Sequence, residues 1–170
     1  MKPPRRLAEP NAHHSYHRCS LLSVCFCDTM AMTFRYLASF NPNGTTYKRP
    51  AIPVIFRNGS EEMELTSLVD SGADMSAMDY RPAAKLGLDL SGPKIQSYGV
   101  SGPVKSVISH VDLEIGKGHE HYSFRVPVRI LFSNTDYYAP TLLGRKGFFE
   151  KFKITIDESV QKVVLRAVED

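Results

Sequence analysis

The amino-acid sequence predicts an all-β domain with a closed or barrel-like sheet. Apolar residues alternate with polar ones along several segments, most clearly over residues 107–115 and 122–132. A period of two is typical of strands that bury one face. Two Asn-Gly pairs, at residues 43–44 and 58–59, separate such segments, and this pair is typical of hairpin turns. Because strands outnumber helices by far, the all-β class is favoured.

The length and charge of the chain fit one domain with an N-terminal extension. The chain has 170 residues, of which 42% are hydrophobic, and a net charge of +3. No run of Lys and Arg is longer than Arg5-Arg6, so no nucleic-acid partner is indicated. No apolar stretch approaches the roughly 20 residues that span a bilayer. We therefore expect neither a nucleic-acid nor a membrane partner.

Residues 1–31 differ in composition from the rest of the chain, being basic and rich in proline at the start. We expect a disordered or wrongly assigned leader here, with translation starting at Met30 or Met32, and one domain over residues 32–170. A signal peptide is the alternative. The apolar run over residues 21–26 is short, however, and lies far behind the basic start.

Three histidines and three cysteines lie in this leader: His13, His14, His17, Cys19, Cys25 and Cys27. A metal site is one interpretation, because imidazole and thiolate are soft ligands. Their spacing matches no common zinc pattern, and the run over residues 119–121 (His-Glu-His) lacks the H-E-x-x-H spacing. We therefore expect no metal and no cofactor. Since the predicted domain holds no cysteine, it fits a reducing, cytoplasmic compartment.

The first half of the predicted domain has the pattern of strands and hairpins. Residues 33–40 alternate, and so do residues 52–56, where Pro50 and Pro53 indicate an edge. Residues 63–69 then form the returning strand of a hairpin.

The middle of the chain predicts one short helical turn and one hairpin. A short helical turn is expected between Asp79, a candidate N-cap, and Gly87, which can end it. Residues 92–104 place apolar side chains among glycine and proline, which favours a hairpin with a mobile tip over residues 99–102.

The C-terminal part predicts two long strands, a short buried strand and a helix. The long strands cover residues 107–115 and 122–132, with a glycine turn between them. Residues 142–143 (Leu-Leu) form the buried strand. A short helix carrying Phe148, Phe149 and Phe152 is expected next, and two strands end the chain.

The stretch most suggestive of chemistry is residues 68–74, Leu-Val-Asp-Ser-Gly-Ala-Asp. Small residues beside a carboxylate let a backbone or a second carboxylate approach closely. This loop, the hairpin over residues 95–104 and residues 142–145 (Leu-Leu-Gly-Arg) together resemble the retropepsin-like aspartic proteases, over residues from about 48 to 168. The resemblance implies an acid-protease closed β-barrel with a flap hairpin and one short C-terminal helix. An ordinary Asp-Ser-Gly turn in an unrelated β-barrel is an alternative.

The resemblance also implies an aspartic-type endopeptidase, a hydrolase that cleaves an extended peptide or an unfolded protein. This chemistry needs two carboxylates that share a proton and activate one water molecule. The sequence contains a single Asp-Ser-Gly run, because residues 28–30 (Asp-Thr-Met) lack the glycine and residues 157–159 lack the order. Two copies of the chain must therefore meet as a homodimer. The candidates for their interface are residues 33–40 and 160–168.

Residue roles follow from the same resemblance. It implies that Asp70 is the catalytic carboxylate and that Ser71, Gly72 and Ala73 support it, with the Ser71 hydroxyl bonding to the partner's loop. It implies that Arg145 forms a buried ion pair with Asp74. The implied substrate-binding residues are Gly72, Asp74, Tyr98, Gly99, Val100, Ser101 and Gly102.

Two further expectations concern activity. Ala73 offers no hydroxyl to the dyad, so we expect a less acidic pair and activity at mildly acidic to neutral pH. The alternative function is a peptide-binding or dimerisation module of the same fold that cleaves weakly or not at all.

Overall fold

The computed structural model describes residues 31–41, 43–99, 102–133 and 139–168. Residues 1–30 of the predicted leader therefore lie outside the described residues. The described residues form twelve strands, one α-helix and one helical turn. These elements are β1 (Met32–Arg35), β2 (Leu37–Phe40), β3 (Thr46–Arg49), β4 (Ala51–Asn58), β5 (Glu61–Val69), β6 (Ser76–Asp79), α1 (Tyr80–Lys85), β7 (Ile95–Gly99), β8 (Gly102–Lys117), β9 (Glu120–Phe132), β10 (Thr141–Leu143), the helical turn Arg145–Phe149, β11 (Phe152–Asp157) and β12 (Lys162–Ala167).

The largest sheet has seven strands in the order β4-β5-β10-β6-β9-β8-β7. A second pairing joins β4 to β8, with Ile55 opposite Glu114 and Arg57 opposite Asp112. The pairings therefore leave β4, pass through five other strands and return to β4. This architecture confirms the all-β class.

The alternating apolar residues that predicted the strands form one buried face of β8 and of β9. Val107, Val111, Leu113 and Ile115 on β8 are fully or almost fully buried, and so are Val126, Val128 and Ile130 on β9. All of β9 pairs with β8, from Lys105 opposite Phe132 to Lys117 opposite Glu120. Burying these aliphatic faces removes apolar surface from water and so stabilises the domain.

Both ends of the domain meet in a separate three-stranded sheet, in the order β1-β12-β11. The expected single strand over residues 33–40 is divided. β1 pairs with β12, whereas β2 pairs with β3. The division falls at Tyr36, which is buried and whose backbone N–H donates to the Gln161 carbonyl at 2.9 Å. The chain thus changes its pairing partner at one anchored residue.

The two predicted helices differ in outcome. α1 begins as expected, since the Asp79 side chain accepts a hydrogen bond from the Arg81 N–H, and Gly87 follows with a φ of +62°. The short helix expected to carry Phe148, Phe149 and Phe152 is present only in part, as the interrupted helical turn Arg145–Phe149. Lys146 has a ψ of 122° and Gly147 a φ of 86°, both non-helical, and Phe152 belongs to β11.

The position of Gly147 explains this departure. A Cβ built on Gly147 would lie 2.9 Å from the Cβ of Val126, so the backbone is pressed against β9. Phe148, next in the chain, is fully buried. Within the described residues, no helix has the length and hydropathy of a membrane span.

Candidate active site

Asp70 stands immediately after β5, at the point where the strand becomes a turn. Its N–H donates to the Leu143 carbonyl at 3.1 Å, and its own carbonyl accepts from the Ala73 N–H at 3.3 Å. Its Oδ1 accepts from the Gly72 N–H at 2.9 Å. The side chain is half-buried. The backbone therefore fixes one carboxylate oxygen of Asp70 and leaves the other without a described partner.

The short strand β10 holds this turn in place. Leu142 lies opposite Leu68 of β5 on one side and Ala77 of β6 on the other. Gly144 follows, and its N–H donates to the buried Ser76 hydroxyl at 3.1 Å. A Cβ on Gly144 would lie 2.3 Å from the carbonyl carbon of Met75. A side chain therefore does not fit at this position, and the motif over residues 142–145 places a glycine there.

Residues 145 and 146 continue the crossing with main-chain hydrogen bonds. The Arg145 N–H donates to the Ala73 carbonyl at 2.8 Å, and the Lys146 N–H to the Asp74 carbonyl at 2.8 Å. The Arg145 guanidinium also forms an ion pair with the Asp74 carboxylate.

Within the single chain, the ion pair that was expected to be buried near a subunit interface is exposed. The Arg145 side chain is 61% exposed and that of Asp74 79% exposed. Asp74 lies at the end of an outward-facing turn, where water solvates both charges. An exposed pair of this kind contributes little to the stability of a single chain.

The hairpin of β7 and β8 lies opposite the Asp70 turn. Gly99 pairs with Gly102, whose φ is +98°. Val100 and Ser101, expected at the tip, lie outside the described residues. Tyr98 is 78% exposed.

A cavity of about 200 Å³ separates the hairpin from the turn. Gly72, Ala73 and Asp74 line one side, and Tyr98 and Val104 line the other. A larger cavity of about 680 Å³ lies elsewhere, against Lys94, Lys105 and Phe132. Of these two cavities, the smaller is the one lined by residues of the Asp70 turn. Asp74 also lines a separate cavity of about 460 Å³ beside Arg145 and Phe149.

Sequence reasoning missed Arg129, which also lines the smaller cavity. Its Nη1 donates to the Ser97 hydroxyl at 3.1 Å. The Ser97 and Ser106 hydroxyl oxygens are 2.6 Å apart. The sequence signal that could have found Arg129 is its positive charge between the apolar residues Val128 and Ile130. In a strand with alternating burial, this position faces away from the core.

A second missed residue is Asp79, considered only as a helix cap. Its side chain is 1% exposed. It accepts bonds from Nε of Arg81 at 2.7 Å, from the Ser133 hydroxyl at 2.8 Å and from the Ala139 N–H at 3.2 Å. Burial alone would raise the pKa of Asp79, but the bonds from the Arg81 side chain and N–H, Ser133 and Ala139 outweigh it and hold the pKa well below its usual range.

The described residues bring no three His, Cys, Asp or Glu side chains together as a candidate metal site. What the site offers is one half-buried carboxylate, with one oxygen that has no described partner, in a turn whose following residues Gly72, Ala73 and Asp74 line a cavity of peptide side-chain size. A carboxylate of this kind can accept or donate a proton.

Comparisons with known proteins agree with this fold. The structure is similar to a retropepsin-like aspartic protease from Rickettsia conorii, with a TM-score of 0.50 and 21% identity over 80% of this chain and 98% of that one. It also matches the EIAV protease complexed with the inhibitor HBY-793, with a TM-score of 0.38 and 25% identity over 63% of this chain and 88% of that one. No family model and no curated protein matches the sequence.

The first of these likenesses establishes the fold. The chain has the retropepsin-like fold, and the resemblance inferred from residues 68–74 and 142–145 is confirmed at that level.

Proposed function

We propose that the chain is an aspartic-type endopeptidase that acts as a homodimer, with one Asp70 from each copy. The observation that supports this most is the Asp70 turn itself. Its carboxylate is held by the Gly72 N–H at 2.9 Å, and the residues that follow it line the cavity below the β7–β8 hairpin. The retropepsin-like fold supports the same proposal.

The reaction explains why two copies are needed. Two carboxylates a few ångströms apart share one proton, because like charges this close do not both ionise. The ionised Asp70 takes a proton from water while the protonated one hydrogen-bonds the scissile carbonyl. The water oxygen then attacks the carbonyl carbon, and the carbonyl oxygen takes the proton of the second carboxyl group to give a tetrahedral diol. The Asp70 that gained the water proton passes it to the amide nitrogen as the C–N bond breaks, and the amine leaves. Since the sequence has a single Asp-Ser-Gly run, the second carboxylate comes from the partner.

The other predicted residues take roles around this pair. Ser71 is exposed in the single chain, so its hydroxyl is available to the turn of a second copy. Gly72 fixes the orientation of Asp70, and Ala73 and Asp74 line the groove. Arg145 holds Asp74. The hairpin closes over the substrate and excludes water, with residues 98–102 in contact with the peptide.

Two structural proposals accompany the function. The pairing of β4 with both β5 and β8 supports a closed barrel of six strands. The β1-β12-β11 sheet has β1 and β11 as its edges among the described strands, which supports the terminal segments as the dimer interface. Edge strands left open are available to pair with a second copy.

An unfolded-protein cleavage assay tests the proposal. The full chain is incubated with unfolded casein, with and without pepstatin, beside Asp70→Asn and the control Asp112→Asn on β8. We expect pepstatin-sensitive cleavage that Asp70→Asn lowers at least about 10²-fold, the lower range for a positioned acid–base group, and that the control retains. Cleavage that survives Asp70→Asn contradicts the proposal. Peptide binding without any cleavage would instead favour the binding module.

A further inference from the structure

Arg129 places a cation inside the cavity below the hairpin. It lies on β9, opposite Ala77 of β6 and Ile108 of β8. Its neighbours Val128 and Ile130 point into the core and are fully buried. Arg129 therefore faces the other side of the strand, where it lines the cavity together with Gly72 and Ala73.

The guanidinium has few partners. Nη1 donates to the Ser97 hydroxyl at 3.1 Å, whereas Nε is buried and has no hydrogen-bond partner. None of the ion pairs among the described residues includes Arg129. The other charged residue of the cavity, Asp74, is already paired with Arg145. A partly buried cation without a counter-ion is costly.

Two serines hold this cation in one orientation. The Ser97 hydroxyl, which accepts from Arg129, lies 2.6 Å from that of Ser106. Ser106 in turn donates to the Ile95 carbonyl at 3.3 Å. The hydroxyl chain ties Arg129 to the base of the β7–β8 hairpin and leaves most of its N–H groups unused. A fixed guanidinium with free donors is the partner that a carboxylate prefers.

We propose that Arg129 makes this cavity a subsite for an acidic side chain of the substrate, Asp or Glu. The cavity of about 200 Å³ has apolar walls at Val104, Leu131 and Leu142. These walls suit the methylene groups of the acidic residue, and its carboxylate pairs with the Arg129 guanidinium. This inference rests on the proposed function, because the peptide is taken to pass between the Asp70 turn and the hairpin.

The test uses two sets of fluorescein-labelled apolar decapeptides, one with a single Glu moved through every position and one with Gln in its place. Cleavage is measured with the full chain. Binding is measured by fluorescence anisotropy with Asp70→Asn. We expect one position at which Glu is preferred over Gln by at least about tenfold in kcat/KM and in Kd, the scale of one charge-assisted hydrogen bond.

Variants assign that preference to Arg129. Arg129→Met and Arg129→Gln should both bring the Glu/Gln ratio close to one, and Gln can still bond to Ser97 if Met disturbs the fold. Arg129→Lys should keep part of the preference. Arg125→Met is the matched control, because Arg125 lies on the same strand with a 60% exposed side chain, 3.4 Å from Asp112. It should leave the ratio unchanged.

Each outcome decides the inference. Cleavage with no Glu preference, or a preference that survives Arg129→Met and Arg129→Gln, overturns the acidic subsite while the protease proposal stands. A Glu preference in binding that Arg129→Gln removes, without cleavage of either set, supports the subsite and overturns the protease proposal. Peptides that are neither bound nor cleaved overturn both.

Discussion

Asp79 and Asp70 are carboxylates nine residues apart in sequence, yet their surroundings are opposite. Asp79 is 1% exposed, and its two oxygens accept from Arg81, Ser133 and Ala139. Asp70 is half-buried, and one oxygen accepts from its own turn at Gly72. A carboxylate whose oxygens both accept hydrogen bonds from within the chain stabilises the fold. A carboxylate with an oxygen that accepts no hydrogen bond from the described residues is available for chemistry.

Two ion pairs, Arg81 with Asp79 and Arg145 with Asp74, differ in exposure in the same way. Arg81 is 23% exposed against the buried Asp79, whereas Arg145 is 61% exposed against Asp74. Asp79 of the first pair also accepts from Ser133 and Ala139, which flank residues 134–138. The second stands at the surface, beside the Asp70 turn.

The largest stability effect is expected at the buried aspartate. Asp79→Asn removes the charge that faces Arg81 and should lower the free energy of unfolding by about 3 kcal/mol, the lower range for breaking a buried pair. The lower range applies because Arg81 keeps some solvent contact. Urea unfolding monitored by circular dichroism gives the value. Asp74→Asn is the matched control and should cost less than about 1 kcal/mol; equal losses in the two variants would break the comparison.

The same residue predicts an acid dependence of stability. The pKa of Asp79 is lowered in the folded chain, so the unfolded chain takes up its proton first as the pH falls. Stability from Asp79 is therefore complete above about pH 4, the usual pKa of an Asp, and is lost progressively at lower pH.

Urea midpoints at pH 5 and pH 3 measure this loss. The wild type should lose more stability over that interval than Asp79→Asn, which has no proton to gain at this position. The difference between the two is the relevant quantity, because hydrogen bonds from Ser91 and Ser159 also lower the pKa values of Asp89 and Asp157. Parallel curves would show that Asp79 contributes nothing to acid stability.

The smallest effect is expected at Arg145. Because both side chains of its ion pair are exposed, Arg145→Ala should lower the unfolding free energy of the single chain by less than about 1 kcal/mol. Added salt should shrink the difference further. Thermal unfolding at low and high ionic strength measures both. A loss of several kcal/mol that salt does not reduce would contradict the exposure of this pair in the single chain.

The strands were predictable because apolar and polar residues alternate along them with a period of two, as in β8 and β9. The turns at Gly59 and Gly118 were predictable for a similar local reason, since both have a positive φ. The helical turn after β10 was not, because Gly147 is set by its contact with Val126, a residue distant in sequence. Local preference indicated a helix there, and tertiary packing overrode it.

The candidate site divides in the same way. The Asp70 turn and the Gly144 crossing carry local motifs. Arg129 and Asp79 have no motif, because their roles depend on Ser97, Ser133 and Ala139, which only the folded chain brings near. The exposure of Asp74 was likewise invisible in the sequence, since it depends on where the chain surface lies.

The central claim is that two copies of Asp70 form one reaction centre, and a mixing experiment tests it most directly. Wild type at a fixed amount is exchanged with increasing Asp70→Asn, and cleavage of an unfolded protein is followed. If both carboxylates are required, mixed dimers are inactive, and random pairing at equal amounts leaves about half of the wild-type activity. Activity that stays constant however much Asp70→Asn is added would contradict the account, because each chain would then be acting alone.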